Sequence, residues 1–101
     1  MTLEDLKKQL ETTGFPVAYN VFNTEQTMPF ICFLVAYSNN FAADDIVYKK
    51  IDHIQVELYT SLKDTDAEDK VEKALSSFIW YKTESYDDTE KQYQVIYEIE
   101  V

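Results

Sequence analysis

The chain has 101 residues, of which 46% are hydrophobic and 15% aromatic, and its 19 acidic against nine basic side chains give a formal net charge of −10. This length holds one domain, residues 1–101, and the composition excludes a disordered acidic tail. The charge disfavours electrostatic binding to nucleic-acid backbones. A single cysteine excludes an internal disulfide, and no apolar run reaches the length of a membrane span, so no membrane partner is expected.

The N-terminal segment predicts a helix over residues 3–13. Thr2 and Asp5 have the spacing of a capping box, leucines recur on one helical face, and Gly14 suits the left-handed conformation that ends helices. The following sequence FPVAYNVF predicts a short strand that begins at Pro16, and TEQTM is typical of a loop.

The segment PFICFLVAYSNNFAADDIVYKK, residues 29–50, contains the longest apolar run. Within residues 30–38 both alternating faces are apolar, which predicts a strand covered on both sides, or on its second side by another subunit. One face holds Phe30, Cys32, Leu34 and Ala36, and the other holds Ile31, Phe33, Val35 and Tyr37. Asn39 and Asn40 tolerate turn geometry, so we expect them to break the strand and begin a hairpin-like arm, FAADDIVY.

The strand from Ile51 has one apolar and one largely polar face. Its predicted buried residues are Ile54, Val56 and Leu58, and its predicted outward residues are His53, Gln55, Glu57 and Tyr59. A second helix is predicted over residues 65–78, capped by either Asp64 or Thr65.

Two strands around DDTE predict a C-terminal hairpin. In the last strand, one face carries Tyr93, Val95, Tyr97, Ile99 and Val101. The predicted fold class is α+β, with a mainly antiparallel sheet, two helices packed on one face and a protruding loop or hairpin arm.

Candidate catalytic groups are few. Cys32 lies between apolar neighbours in a strand, where burial raises a thiol pKa, so we interpret it as a core residue and not as a nucleophile. His53 is the only histidine and is expected to be a partly exposed strand residue. Paired carboxylates follow from the acidic composition alone. We therefore predict no enzyme, no catalytic residue, no metal site and no cofactor.

Four segments carry a resemblance to a known family: PFICFLVAYSNNFAADDIVY, IQVELYTSLKD, AEDKVEKAL and KTESYDDTEKQYQVIYEIE. They resemble the tail-terminator proteins, also called tail-completion or head-tail joining proteins, of siphophages and prophages of Gram-positive hosts. The resemblance spans nearly the whole chain and consists of core and loop residues.

The resemblance implies a structural protein of the virion, present in the host cytoplasm during assembly. Its α+β protomers would form a ring, commonly a hexamer, that terminates the tail tube and joins the tail to the head. The implied partners are other copies of the chain, the tail tube protein and the head connector protein. DNA would pass through the ring without specific binding.

The arm is the predicted joint between subunits, because a two-helix domain has few neighbours to bury its apolar residues. The predicted interface residues are Phe41, Ile46, Val47 and Tyr48. Asp44 and Asp45 would lie near the tip and face solvent or the channel. The negative charge would either keep DNA from adhering to the channel or only keep the protein soluble, and the sequence leaves both readings open.

A second hypothesis is a small acidic protein of phage origin that imitates DNA and inhibits a basic host protein. The carboxylates that would imitate phosphates are Glu57, Asp64, Asp66, Glu68, Asp69 and Glu72.

Overall fold

The computed structural model describes the backbone of residues 1–43 and 46–101 and the side chains of residues 1–40 and 50–101. The described residues form an α+β fold, as predicted, with two helices and one five-stranded sheet. The elements are α1 (Leu3–Glu11), β1 (Val17–Tyr19), β2 (Phe30–Ala43), β3 (Ile46–Thr60), α2 (Thr65–Ala74), β4 (Tyr81–Asp87) and β5 (Gln92–Glu100).

Helix α1 begins with the predicted capping box. The Asp5 amide donates to Thr2 Oγ1 at 3.1 Å, and the Thr2 amide donates to Asp5 Oδ2 at 3.2 Å. The helix ends at Glu11, two residues before the predicted end, and Gly14 follows with a φ of 86°. Thr13 Oγ1 donates to the Leu10 carbonyl, so this buried hydroxyl is satisfied at the helix end.

Helix α2 is capped by Asp64, which decides between the two predicted caps. Asp64 Oδ1 accepts from the Ala67 amide at 3.0 Å. The helix ends at Ala74 and not at residue 78, because the Ser76 and Phe78 amides donate to carbonyls only three residues back. Serine favours such irregular ends over helix interiors.

The strands lie in the order β1-β2-β3-β5-β4. Strand β1 pairs with β2 in parallel, and the other neighbours are antiparallel. The predicted C-terminal hairpin is present: β4 pairs with β5, and Asp87 Oδ1 accepts from the Thr89 and Glu90 amides in the turn.

The core joins side chains of both helices to alternate residues of the strands. Helices contribute Leu6, Leu10, Ala67, Val71 and Leu75, and strands contribute Val17, Ile31, Phe33, Ile54, Val56, Leu58, Val95, Tyr97 and Ile99. Burying a side chain of leucine or isoleucine size is worth about 1.5–3 kcal/mol, so this cluster is the main stabilising element of the fold. The predicted burial of alternate residues in β3 and β5 is confirmed.

Strands β2 and β3 are much longer than the others. Their pairing continues from Phe30↔Tyr59 to Ala43↔Ile46, whereas β5 pairs with β3 only from Thr60 to His53. We call residues 39–43 of β2 and 46–51 of β3 the distal ribbon. A strand of 14 residues spans about 46 Å, which accounts for the 50 × 27 × 26 Å extents of the chain.

Candidate interaction surface

The residues predicted to join subunits belong to the distal ribbon. The backbones of Phe41, Ile46, Val47 and Tyr48 lie in β2 and β3, but their side chains are outside the described part of the structure. Asp44 and Asp45, predicted at the tip, lie outside the described residues altogether. The strand register shifts by one residue between Phe41↔Lys49 and Ala42↔Val47, leaving Tyr48 as the extra residue of β3.

The predicted strand break at Asn39 and Asn40 was wrong. Strand β2 runs through both residues, which pair with Ile51 and Lys50. Asn39 is held by a side-chain contact, because its Oδ1 lies 2.9 Å from His53 Nε2. Asparagine tolerates turn geometry but does not require it, and pairing with an adjacent long strand satisfies its backbone groups.

The face opposite the core is called the outer face, and it carries Phe30, Cys32 and Leu34 of β2 beside Tyr59, Glu57 and Gln55 of β3. Tyr37 was predicted on the other face of β2. A bulge between Val35 and Tyr37 instead places Tyr37 beside His53, with the two rings stacked at 4.0 Å and 13°. One extra residue in a strand reverses the facing of all residues beyond it.

Among the described side chains of β2, those on the outer face are covered near the start of the strand and exposed from Tyr37 onward. Cys32 is 5% exposed, which confirms its predicted burial, and the aromatic residues around it are half-buried. Phe30 stacks on Tyr59 at 5.0 Å, and Phe22 from the preceding loop meets Phe30 edge to face. In the middle of β2 Tyr37 is 60% exposed, so the chain itself covers the outer face of the predicted strand only near its start, and the alternative of cover by another subunit stays a prediction.

The Glu57 carboxylate lies on the outer face beside Cys32, in the part of that face that is half-buried. Tyr59 donates its hydroxyl to Glu57 Oε1 at 3.1 Å and accepts from Gln94 Nε2 at 2.9 Å. Burial raises the pKa of Glu57, and this outweighs the opposing effect of the Tyr59 hydrogen bond. Burial, followed by the nearby Glu57 charge, raises the pKa of the Cys32 thiol to about 11. Cys32 is therefore a protonated thiol at neutral pH and a poor nucleophile.

A separate ionic network lies between α2 and β4. Glu68 is nearly fully buried and forms ion pairs with Lys63 and Lys82. Lys82 also forms an ion pair with Glu72, at 3.0 Å. Lys63 reaches Glu84 on β4 as well.

The carboxylates that would imitate phosphates in the DNA-mimic hypothesis therefore lie in different environments. Glu68 and Glu72 are neutralised by lysines, Asp64 caps a helix, and Glu57 lies on the outer face. Asp66 and Asp69 are exposed on α2. This arrangement presents no continuous row of free carboxylates from that set.

His53 is half-buried, as predicted, and its Nδ1 lies 3.7 Å from Glu100 Oε1. Among the described residues, no group of three or more His, Cys, Asp or Glu side chains is arranged to hold a metal ion. No helix in the described ranges is long and apolar enough to cross a bilayer.

A cleft of about 540 Å³ lies on the outer face of the sheet. Its lining includes Tyr37, His53, Glu98, Glu100, Ile79 and Tyr81. No sequence motif predicted this cleft. Its residues come from β2, β3, β5, the first residue of β4 and the segment before β4, and the strand order brings them together. Ile79 and Tyr81, which are exposed large hydrophobic residues of this region, stand in a segment that the sequence predicted only as a strand of the hairpin.

No protein-family model matches the chain, and no curated protein matches it.

Proposed function

We propose that the chain is a non-enzymatic phage structural protein of the tail-terminator kind. It forms a ring at the head-proximal end of the tail tube, terminates tail assembly and joins the tail to the head connector. The proposal starts from the resemblance of four sequence segments to that family. The observation that supports it most is the distal ribbon, whose two strands pair only with each other in the described part of the chain.

A closed ring needs a heterologous contact, in which one surface of a subunit meets a different surface of its neighbour. A ribbon that extends past the rest of the sheet can supply such a surface, because within the described backbone its two strands pair with each other and with no third strand. Subunits with a net charge of −10 repel one another. The contact that overcomes this repulsion must bury apolar side chains, and the sequence FAADDIVY supplies them.

In this proposal Phe41, Ile46, Val47 and Tyr48 form the joint, and Asp44 and Asp45 face solvent or the channel. The partners are other copies of the chain, the tail tube protein and the head connector protein. DNA passes through the acidic ring without specific binding, because like charges keep it from the wall. The protein acts in the virion and assembles in the host cytoplasm.

The test is the double substitution Phe41→Ser and Val47→Ser in a phage or prophage that carries the gene. The variant should fold, because β2 and β3 continue pairing towards the core without these side chains, and its circular dichroism spectrum should match the wild type. Electron microscopy should show tails of uncontrolled length or tails without heads. Infectivity should fall by a factor of about 100 or more, the effect of removing about 3 kcal/mol from a subunit contact.

A matched control replaces two exposed apolar residues outside the ribbon, Val21 and Leu62, by serine. This control should assemble normally. If the ribbon variant unfolds as a monomer, its residues belong to the core. If it folds and still gives infectious particles with full-length tails, the ribbon is not the joint.

A further inference from the structure

The cleft on the outer face combines acidic and aromatic groups on adjacent strands. Glu98 and Glu100 alternate with the buried Ile99 on β5, so both carboxylates lie on the outer face and both are exposed. Tyr81 pairs with Glu98 across the β4–β5 ladder, and Tyr37 stacks on His53, the strand partner of Glu100. Each carboxylate residue therefore has an aromatic strand partner: Tyr81 for Glu98, and His53, which carries the stacked Tyr37 ring, for Glu100.

The charge of the cleft is not balanced by the described residues that line it. No lysine is among them, and the ion pair that Glu100 forms with a described side chain is with the His53 ring, at 3.7 Å. Other acidic sites of the fold have lysine partners, since Glu68, Glu72 and Glu84 share Lys63 and Lys82. The cleft thus keeps two carboxylates available for a cation from outside the chain.

The apolar groups around these carboxylates suit the long stem and flat head of a basic side chain. Tyr37, Tyr81 and Ile79 are 60%, 72% and 83% exposed. A guanidinium or ammonium group within about 6 Å of a tyrosine ring is attracted by the face of the ring. The aliphatic stem of arginine or lysine gains by covering exposed apolar surface such as that of Ile79.

The neighbouring sheet edge favours a protein segment over a small cation. All seven residues of β4 are exposed, and within the described part of the chain β4 pairs with no strand other than β5. An extended segment can add to such an edge by main-chain hydrogen bonds and place alternate side chains in nearby pockets. The edge begins at Tyr81, which also lines the cleft.

We propose that the cleft binds an arginine or lysine side chain of an extended basic segment from a partner protein. A second copy of the chain is a poor occupant, since two molecules of net charge −10 repel, whereas a basic partner is attracted. The proposal is independent of ring formation, because the cleft, which is lined by residues of β2, β3, β4 and β5, shares no residue with the distal ribbon.

The probe is a fluorescently labelled heptapeptide in which arginines alternate with threonines, and its binding is measured by fluorescence anisotropy. The salt concentration is about 50 mM, at which the attraction between the peptide arginines and the cleft carboxylates is not fully screened. The same peptide with citrulline in place of arginine is the uncharged control. The wild-type protein should bind the arginine peptide and not the citrulline peptide. Absence of binding to the arginine peptide would overturn the proposal.

The variant that tests the site is Glu98→Gln with Glu100→Gln. Its matched control is Glu11→Gln with Glu90→Gln, which removes the same charge from exposed positions elsewhere. Loss of two close charge contacts should weaken binding about tenfold or more, whereas the control should weaken it less than about twofold. Tyr81→Ser should weaken binding about threefold through loss of the ring face.

Equal weakening by the two double variants would show that the peptide senses only the overall charge, and the site would be rejected. Amide shifts of the wild-type protein on adding the peptide give a second readout that needs no variant. These shifts should centre on His53, Tyr81 and Glu98, and a centre on α1 or α2 would also reject the site.

Discussion

Glu68 of α2 and Lys82 of β4 form an ion pair of 3.1 Å in which only 3% of the glutamate side chain is exposed. Lys63 Nζ donates to Glu68 Oε1 at 2.9 Å and lies 2.8 Å from Glu68 Oε2, so both carboxylate oxygens contact a lysine. The hydrogen bond from Lys82 to Glu72, with the one to Glu68, raises the pKa of Lys82 despite partial burial. Since β4 is an edge strand that pairs with β5, these ion pairs add a link between β4 and α2.

Glu68→Ala should lower the free energy of unfolding by roughly 2–3 kcal/mol, because two lysines lose their shared buried partner. Urea denaturation followed by circular dichroism measures this change. Asp69→Ala is the control, since Asp69 is exposed on the same helix, and it should change stability by less than about 0.5 kcal/mol. Equal effects of the two substitutions would contradict the role of the network.

Glu57→Gln should stabilise the protein at neutral pH. Burial raises the folded-state pKa of Glu57, so folding favours the protonated form, and stability is lost as pH rises from the unfolded value through the folded one. Glutamine keeps an oxygen acceptor for the Tyr59 hydroxyl and removes the charge.

The gain from Glu57→Gln at pH 7 should be at most about 1 kcal/mol, because the side chain keeps contact with solvent. It should vanish below about pH 4, where Glu57 is protonated in both states. Thermal unfolding at the two pH values checks this, and a gain that is the same at both would argue against a charge effect.

Cys32 should react slowly with a thiol reagent in the native protein. Its pKa of about 11 leaves a far smaller thiolate fraction at pH 8 than an exposed cysteine has, and its burial blocks approach. The labelling rate should be lower than that of the urea-unfolded chain by a factor of about 100 or more. Equal native and unfolded rates would show that β2 does not cover this residue.

Gly14→Ala should destabilise the protein by about 1 kcal/mol, because Gly14 has a φ of 86° that alanine adopts only with strain. No atom lies within 4 Å of the position that a Cβ would occupy, so the cost is conformational and not a clash. Gly14→Asn should cost less, since asparagine tolerates left-handed geometry. Equal destabilisation by alanine and asparagine, measured by urea denaturation, would contradict this explanation.

Local patterns predicted most of the secondary structure. The capping box of Thr2 and Asp5, the alternation in β3 and β5, and the turn before Gln92 are set by residues within a few positions of one another, so the sequence is enough to identify them. Helix ends were less well predicted, since α2 stops four residues early where serines follow Leu75.

The candidate surface was predicted less completely. The bulge at Ala36 that turns Tyr37 to the outer face has no local signal, because Val35, Ala36 and Tyr37 fit a regular strand equally well. Continuation of β2 through Asn39 and Asn40 likewise depends on the length of its neighbour β3. Each outcome is set by pairing between strands, which a single segment does not encode.

By itself, the sequence determined the fold class, the buried faces of β3 and β5 and the burial of Cys32, because hydrophobic periodicity and capping act over short distances. The tertiary structure alone decided which carboxylates are neutralised and which remain free. Glu68 and Glu98 are the same residue type, but the fold places Lys82 beside Glu68, whereas Glu98 pairs with Tyr81 and lines an open cleft. Charge pairing depends on distance in space, and that distance is fixed only when the sheet and helices assemble.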